Sequence, residues 1–290
     1  MSAVERVLGV IGGSGLYELE QLTDVEELAM KTPCGEPSDA LIAGTIGATR
    51  LLFLPRHGRG HRLPPHRINY RANILALKMA GAEQILSISA VGSMKDEIQP
   101  GDMVVVDQFI DRTRHRNDTF FDDDGVVAHV GFADPIDPQL AGSLLGAARR
   151  AGAAVHDGGT YLCVEGPQFS TRAESQLYRS WGVSVIGMTN LPEARLAREA
   201  ELPYATLAMA TDYDCWHEGH DAVTVQAVIA VMHVNVAKAK EIIVELAQAL
   251  PDPAGCPASS ALAGAIITNP DSISRAARDK LRPLIGKYVH

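Results

Sequence analysis

Two aspartates, Asp212 and Asp214, stand two residues apart in the stretch Ala-Thr-Asp-Tyr-Asp-Cys-Trp at 210–216, at the end of an apolar run over 204–210. If the backbone stays extended, both carboxylates point to one side. Paired like charges in a partly dry site raise one pKa, which leaves one proton donor and one acceptor. A solvated acidic turn or a divalent-cation site would use the same residue types. Met209 and Trp216 on either side favour a buried pair and acid–base work.

Five other segments carry polar groups where apolar runs end. Gly12-Gly13-Ser14-Gly15 can turn with positive φ, aim backbone N–H groups at an anion and add a hydroxyl. A plain tight turn is the simpler reading. The segment lacks both GxxxxGK[ST] and a GxGxxG spacing with an acidic partner, so a nucleotide loop fits it badly. Arg56-His57-Gly58-Arg59-Gly60-His61 offers a guanidinium fork for phosphate and an imidazole that can donate beside it. His57, His61 and His66 could suggest a metal, but Gly58, Gly60, Pro64 and Pro65 break any helix that would align them, and no metal is expected. Ser89-Ala90-Val91-Gly92-Ser93 again joins hydroxyl, backbone N–H and glycine at a strand end. With Arg56, these turns add up to an oxyanion cradle. Glu165-Gly166-Pro167-Gln168-Phe169-Ser170 puts an aromatic ring where a base could stack, or where a hydrophobic staple would pack. Gly187-Met188-Thr189-Asn190 offers a thioether and a hydroxyl to a sugar, unless Met188 is simply core.

The elements that must position these residues are short apolar, β-branched runs alternating with amphipathic stretches. Strands are expected at 7–11, 50–54, 84–90, 103–111, 160–164, 183–188 and 204–210. Helices are expected at 69–79, 138–151, 171–181, 192–200 and 223–250, with a final one near 272–284. Ser170 or Thr171 followed by Glu174 reads as a capping box. Such alternation implies an α/β fold with a parallel or mixed sheet covered on both faces. Sites in open α/β sheets lie at strand carboxyl ends. The stretch PDPAGCPASS at 251–260 is the only linker-like segment. It divides the chain into an α/β domain at 1–250 and a tail at 251–290, whose helix packs on the same domain or a neighbouring subunit.

Composition removes several function classes. The chain has 290 residues, 46% hydrophobic and 21% charged, enough to build a sizeable core. A formal charge of −9 opposes nucleic-acid binding, which needs a basic face. Cys34, Cys163, Cys215 and Cys256 form no CxxC pair, which suggests reduced cytosolic thiols. No signal-like N-terminus and no apolar run of about 18 residues is visible, so a cytoplasmic protein without membrane contact is expected.

In order, these motifs resemble the trimeric purine nucleoside phosphorylase family, from about Val7 to Leu250. The resemblance rests on IGGSGL at 11–16, RHGRGH at 56–61, PPHRINYRAN at 64–73, SAVGS at 89–93 and GDMVVVDQFIDRT at 101–113. It continues through EGPQFSTRAE at 165–174, MTNLPEA at 188–194 and ATDYDCW at 210–216. It implies a single α/β domain around a distorted mixed sheet, assembled as a homotrimer with sites at subunit interfaces. Ser14, Arg56, His57, Ser89, Ala90 and Thr189 would hold phosphate. Phe169 and Ser170 would meet base and ribose, Met188 would lie under the ribose, and Asp212 and Asp214 would meet the purine. His129 would reach in from the neighbouring subunit over the 5' group, in a pocket lined by Val223 and Val228 with the C-terminal helix as further apolar cover. Asp212, Asp214, Arg56 and His57 would carry the chemistry.

The implied reaction is phosphorolysis of the N-glycosidic bond, with inorganic phosphate as co-substrate and no metal or organic cofactor. A carboxylate facing the base suits a 6-amino donor, so 5'-methylthioadenosine is the expected substrate. Methylthioinosine, adenosine, inosine and guanosine are alternatives within the family. An NAD(P) oxidoreductase and a nucleoside sensor without turnover are the readings outside it. Ser14 and Ser89 stand where members often have Thr. Gly187 stands where many have Asn, and no base contact is assigned to it.

Overall fold

A computed structural model of the chain describes residues 6–13, 15–122, 125–217 and 225–289, with side chains left undescribed at 225–228. Its central strands are β1 (Arg6–Gly12), β4 (Thr49–Pro55), β5 (Gln84–Ser93) and β11 (Tyr204–Asp212), all parallel where they pair. Their side chains are buried almost throughout. Helices on both faces explain why these sequences read as continuous apolar runs rather than alternating ones. Each fully buried Leu or Ile in them, such as Leu51 or Ile85, contributes about 1.5–3 kcal/mol.

Two further strands escape an apolar-run reading, and a third, at 41–46, is apolar but not among those expected. Strand β2 (Thr23–Leu28, TDVEEL) forms the outer edge beside β3 (Leu41–Ile46) and is exposed, its acidic residues suiting a sheet edge. Strand β8 (Val155–Asp157) is only three residues long. The run expected as one strand over 103–111 is two, β6 (Met103–Val105) and β7 (Gln108–Arg112). The chain turns a corner between them. Val106 donates its N–H to Thr206 O, and Asp107 bonds to Gly159 through both its N–H and its carboxylate. Strand β6 therefore stays beside β11 and β8, while β7 crosses to pair with β9 (Thr160–Val164). Strand β10 (Val185–Gly187) runs parallel to β9 and antiparallel to β5. The sheet is thus mixed and branched.

Helices α1 (Tyr70–Met79), α2 (Pro138–Arg150), α3 (Arg172–Ser180), α4 (Asn190–Glu199), α5 (Val225–Gln248) and α6 (Arg275–Ile285) fill the gaps between strands. Side-chain caps from Asn69, Asp137, Thr171 and Ser274 start four of them. Thr171 and Glu174 close the expected capping box on α3. The C-terminal helix α6 packs against α1 of its own chain. Its following residues Tyr288 and Lys287 bind both carboxylate oxygens of the buried Glu201. No helix of the described residues is long and apolar enough to cross a membrane.

Candidate active site

Among the described residues, one edge of β5 is left unpaired over 88–91, and Arg56, Ser89, Thr189, Asp212 and Asp214 gather around it. Strand β1 pairs with β5 only as far as Ser87, and β10 joins β5 only from Gly92. Between these points β5 keeps β11 on its other edge. Residues 88–91 are thereby presented at a gap between two strand ends that approach from opposite directions. Arg56 follows β4, Thr189 follows β10 and Asp212 ends β11.

Arg56 is 2% exposed, and most of its fork is already taken. Nε and Nη2 donate to the two oxygens of Glu193 at 2.8 and 3.0 Å. Nη2 also reaches Ser87 Oγ and Ile11 O, and Nη1 donates to Ile88 O at 2.9 Å. Burial alone would lower the guanidinium pKa, but the Glu193 charge more than offsets it and the group stays cationic. The bidentate clamp expected for phosphate is therefore spent on Glu193. Among the described residues, Nη1 keeps one hydrogen for an anion. Glu193 is held in turn by the Ser87 and Tyr204 hydroxyls. It lies in the MTNLPEA motif, but only the fold reveals it as the partner of Arg56, 137 positions away.

His57 is half-buried, stacked on His61 with ring centroids 4.1 Å apart. Its Nδ1 lies 2.8 Å from Leu63 O, which can only accept, so Nδ1 carries the proton in the neutral ring. Burial lowers the pKa to about 4. Nε2 of the neutral ring is consequently an acceptor. Donation from it to an anion requires that the anion's charge first draw a second proton onto the ring.

Ser89 and Thr189, each 5% exposed, meet across the gap with their hydroxyl oxygens 3.1 Å apart. The buried Tyr161 phenol stands behind them, 3.3 Å from Ser89 Oγ and 3.4 Å from the Thr189 N–H. Ala90 is the next residue on β5 and partly exposed. Ser14 lies outside the described residues.

The Asp212–Asp214 pair forms at the other end of the gap, by a different route from the extended one expected. Strand β11 bulges against β5 between Ala210 and Asp212. Asp212 Oδ1 accepts the Asp214 N–H at 2.8 Å, and Asp214 has φ +52°. The carboxylates are brought together by a tight turn. Thr211 donates to Asp212 Oδ2, and Ser175 of α3 donates to Asp214 Oδ2. Burial raises the pKa of both, against the pull of these donors, and the charge of Asp212 adds only a smaller push on Asp214. Gly92 lets them approach the strand, since a Cβ there would lie 3.0 Å from Asp212 Oδ1 and 3.3 Å from Asp214 Cβ.

Phe169 is 62% exposed, beside the half-buried Ser170. Met188 lies against Gly166, where a Cβ would meet its sulfur at 2.6 Å. Arg116, absent from the sequence-based candidates, ties these segments together. It donates to the carbonyls of Val164, Glu165, Met188 and Leu191, to the Tyr70 hydroxyl and to the Glu165 carboxylate. His129 sits elsewhere, exposed beside the bridge between Ala128 and Ile266, and gives its N–H to Ala265 O. Val223 lies outside the described residues, and Val228 falls in α5 where side chains are not described. Among the described residues no cluster of His, Cys, Asp and Glu has the make-up of a metal site.

Residues 7–248 match the family model described as "Phosphorylase superfamily". Among similar proteins, the S-methyl-5'-thioadenosine phosphorylase of Geobacter sulfurreducens is 57% identical over 287 residues, covering 99% of this chain and 100% of that one. The enzyme of the same name from Koribacter versatilis is 54% identical, covering 97% of this chain and 96% of that one. Among solved structures, a methylthioadenosine phosphorylase from an antarctic soil metagenomic library superposes with a TM-score of 0.90 at 44% identity, covering 98% of this chain and 99% of that one. Methylthioadenosine phosphorylase from Schistosoma mansoni in complex with adenine gives 0.86 at 34% identity, covering 90% and 99%.

Proposed function

Because the chain belongs to the phosphorylase superfamily, we infer that it cleaves 5'-methylthioadenosine with inorganic phosphate, releasing adenine and 5-methylthioribose 1-phosphate. The observation that carries this reading is one strand, β5, with a hydroxyl cradle at Ser89 and two half-buried carboxylates packed over Gly92. Relatives of the same name at 57% and 54% identity support the choice of substrate.

The reaction passes through a ribosyl cation like that of glycosidases. Phosphate sits below C1', held by the hydroxyls of Ser14, Ser89 and Thr189, by the Ala90 backbone and by the free Nη1 hydrogen of Arg56. Its charge stabilises the cation and its oxygen is placed for attack. The leaving purine gathers negative charge, which a proton from Asp212 to N7 relieves. A pKa raised by burial keeps that proton on the enzyme at higher pH. Asp214 accepts from the 6-amino group, while a 6-oxo group would leave a mismatched pair costing about 1–3 kcal/mol. Phe169 and Ser170 cover base and ribose, and Met188 lies under the sugar. Val223, Val228 and the His129 of a neighbouring subunit enclose the 5' group in a homotrimer. No metal or organic cofactor takes part, and the enzyme works in the cytoplasm.

Base release from 5'-methylthioadenosine, methylthioinosine, adenosine and inosine, each with and without phosphate, tests this. Phosphate-dependent adenine release, fastest from the methylthio compound, is expected. Preferred hypoxanthine release would overturn the roles given to Asp212 and Asp214.

A further inference from the structure

Gly187 and Tyr161 occupy one volume between them. Any Cβ at residue 187 would lie 2.0 Å from the Tyr161 hydroxyl and 2.6 Å from its Cζ, closer than atoms can stand. The φ of Gly187 is not positive, so the glycine serves to make room and not to turn the chain. What fills that room is the end of a fully buried phenol, aimed at the back of the hydroxyl cradle.

The hydrogen bonds around the phenol have a direction. The Thr189 N–H can only donate, and it points at the Tyr161 oxygen from 3.4 Å. The buried phenol's own hydrogen needs an acceptor, and among the described contacts Ser89 Oγ at 3.3 Å is the one that can take it. Burial lifts the phenol pKa to about 12, so that hydrogen stays in place across the working range. That fills one acceptor position of Ser89 Oγ, whose own hydrogen rests on Ala90 O at 3.3 Å until an anion takes it. Without the phenol, the nearest hydroxyl able to fill it is Thr189, 3.1 Å away. Thr189 would then turn its hydrogen toward Ser89 and away from a bound anion.

We propose that Tyr161, seated in the space left by Gly187, is a positioning residue that orients the Ser89 and Thr189 hydroxyls so that both donate to phosphate. This rests on the reading of Ser89 and Thr189 as the phosphate cradle. Tyr161 does not touch substrate. It fixes two rotors before the anion arrives, so their ordering is not charged to binding.

The test measures KM for phosphate and for nucleoside separately, with Tm, in Tyr161→Phe, Gly187→Ala, Ser89→Ala and Thr189→Val. Tyr161→Phe keeps the ring and loses the hydroxyl. Its expected effect is a roughly 10-fold higher phosphate KM, with nucleoside KM changed by less than about two-fold. Gly187→Ala displaces the phenol and is expected to give the same split, and it stands in if Tyr161→Phe does not fold. A phosphate KM within about two-fold of the parent in both variants would overturn the proposal, as would equal rises in both KM values. If Ser89→Ala and Thr189→Val also leave phosphate KM unchanged, the cradle reading itself has failed. If they raise it while Tyr161→Phe and Gly187→Ala do not, only the role of Tyr161 has failed.

Discussion

Arg56, Ser89 and Thr189 are 2%, 5% and 5% exposed, while Phe169 is 62% exposed, although all four lie on or follow strands of the same sheet. The two ends of the gap are built differently. At the anion end, Arg56, Ser89 and Thr189 are buried, and the orientation of Arg56 is set by Glu193, Ser87 and two backbone carbonyls. At the nucleoside end, carboxylates are held by a bulge and a tight turn, and the aromatic ring stands out from the surface. A small, highly charged ligand gains most from dipoles fixed in advance. A larger, mostly flat ligand can supply its own cover, and needs an open side to enter.

The sharpest way to break this contrast is to disturb the buried ion pair. Glu193→Gln leaves the guanidinium of Arg56 without its countercharge in a site where neither side chain is more than 3% exposed. Breaking such a pair from one side costs about 3–5 kcal/mol. Urea unfolding should show a loss of that order, and phosphate KM should rise as the fork turns from its carbonyls. A stable variant with unchanged phosphate KM would mean that the anion end is not set in advance by Glu193.

At the nucleoside end, Asp212→Asn should lower kcat/KM by about 10²–10⁴-fold, the range for a lost general acid. The sign with pH follows from the raised pKa of Asp212. The acid form is the active one, so parent activity falls as pH rises through that pKa, and the variant should lose this limb. Asp214→Asn should instead erode the preference for 6-amino over 6-oxo nucleosides. Similar small losses in turnover and base preference for both variants would refute the division of labour.

How far the sequence reaches differs between the two ends for physical reasons. The parallel core strands are legible because burial on both faces demands apolar residues, and the loops at their ends are then found by position. Strand β2 is not legible, since an exposed edge needs no apolar pattern. The Asp212–Asp214 pair is visible as composition, but it is formed by a turn that an extended strand does not contain. Glu193 is hidden because its partner is 137 residues away, and a buried acid reads locally like any helix residue. Arg116 is hidden in the same way, its acceptors being carbonyls of two other strand ends. Tyr161 and Gly187 show no signal separately, because their relation is a shared volume.

The segment carrying Arg116 connects the two ends and offers a smaller, pH-dependent perturbation. Its residues Thr119 and Phe120 donate hydroxyl and N–H to the two oxygens of Glu199 on α4, both at 2.7 Å. Burial raises the Glu199 pKa to about 7 despite these donors, and Asp118 and Asp122 push it the same way. A raised carboxyl pKa favours folding while the group is protonated. That contribution is complete below about 4.5, the unfolded value, and is lost as pH rises through about 7. Parent stability should therefore fall by about 2 kcal/mol between pH 5 and pH 8 from this group. Glu199→Gln should flatten the profile, and an unchanged slope in the variant would remove Glu199 as its source.

The smallest expected effect separates the two ends most cleanly. Phe169 is mostly exposed, so removing its ring leaves no cavity, and Phe169→Ala should not change Tm. If the ring packs on a bound purine, the variant loses about 0.5–1.5 kcal/mol of ring-to-ring contact, or about 2–10-fold in nucleoside KM. Phosphate KM should not move, because the Ser89–Thr189 cradle and the Arg56–Glu193 pair have no bond to residue 169 among the described contacts. A rise in both KM values would show that the two ends are coupled through the Arg116 bonds to Glu165 and Met188. No rise in either would place the base elsewhere than beside Phe169.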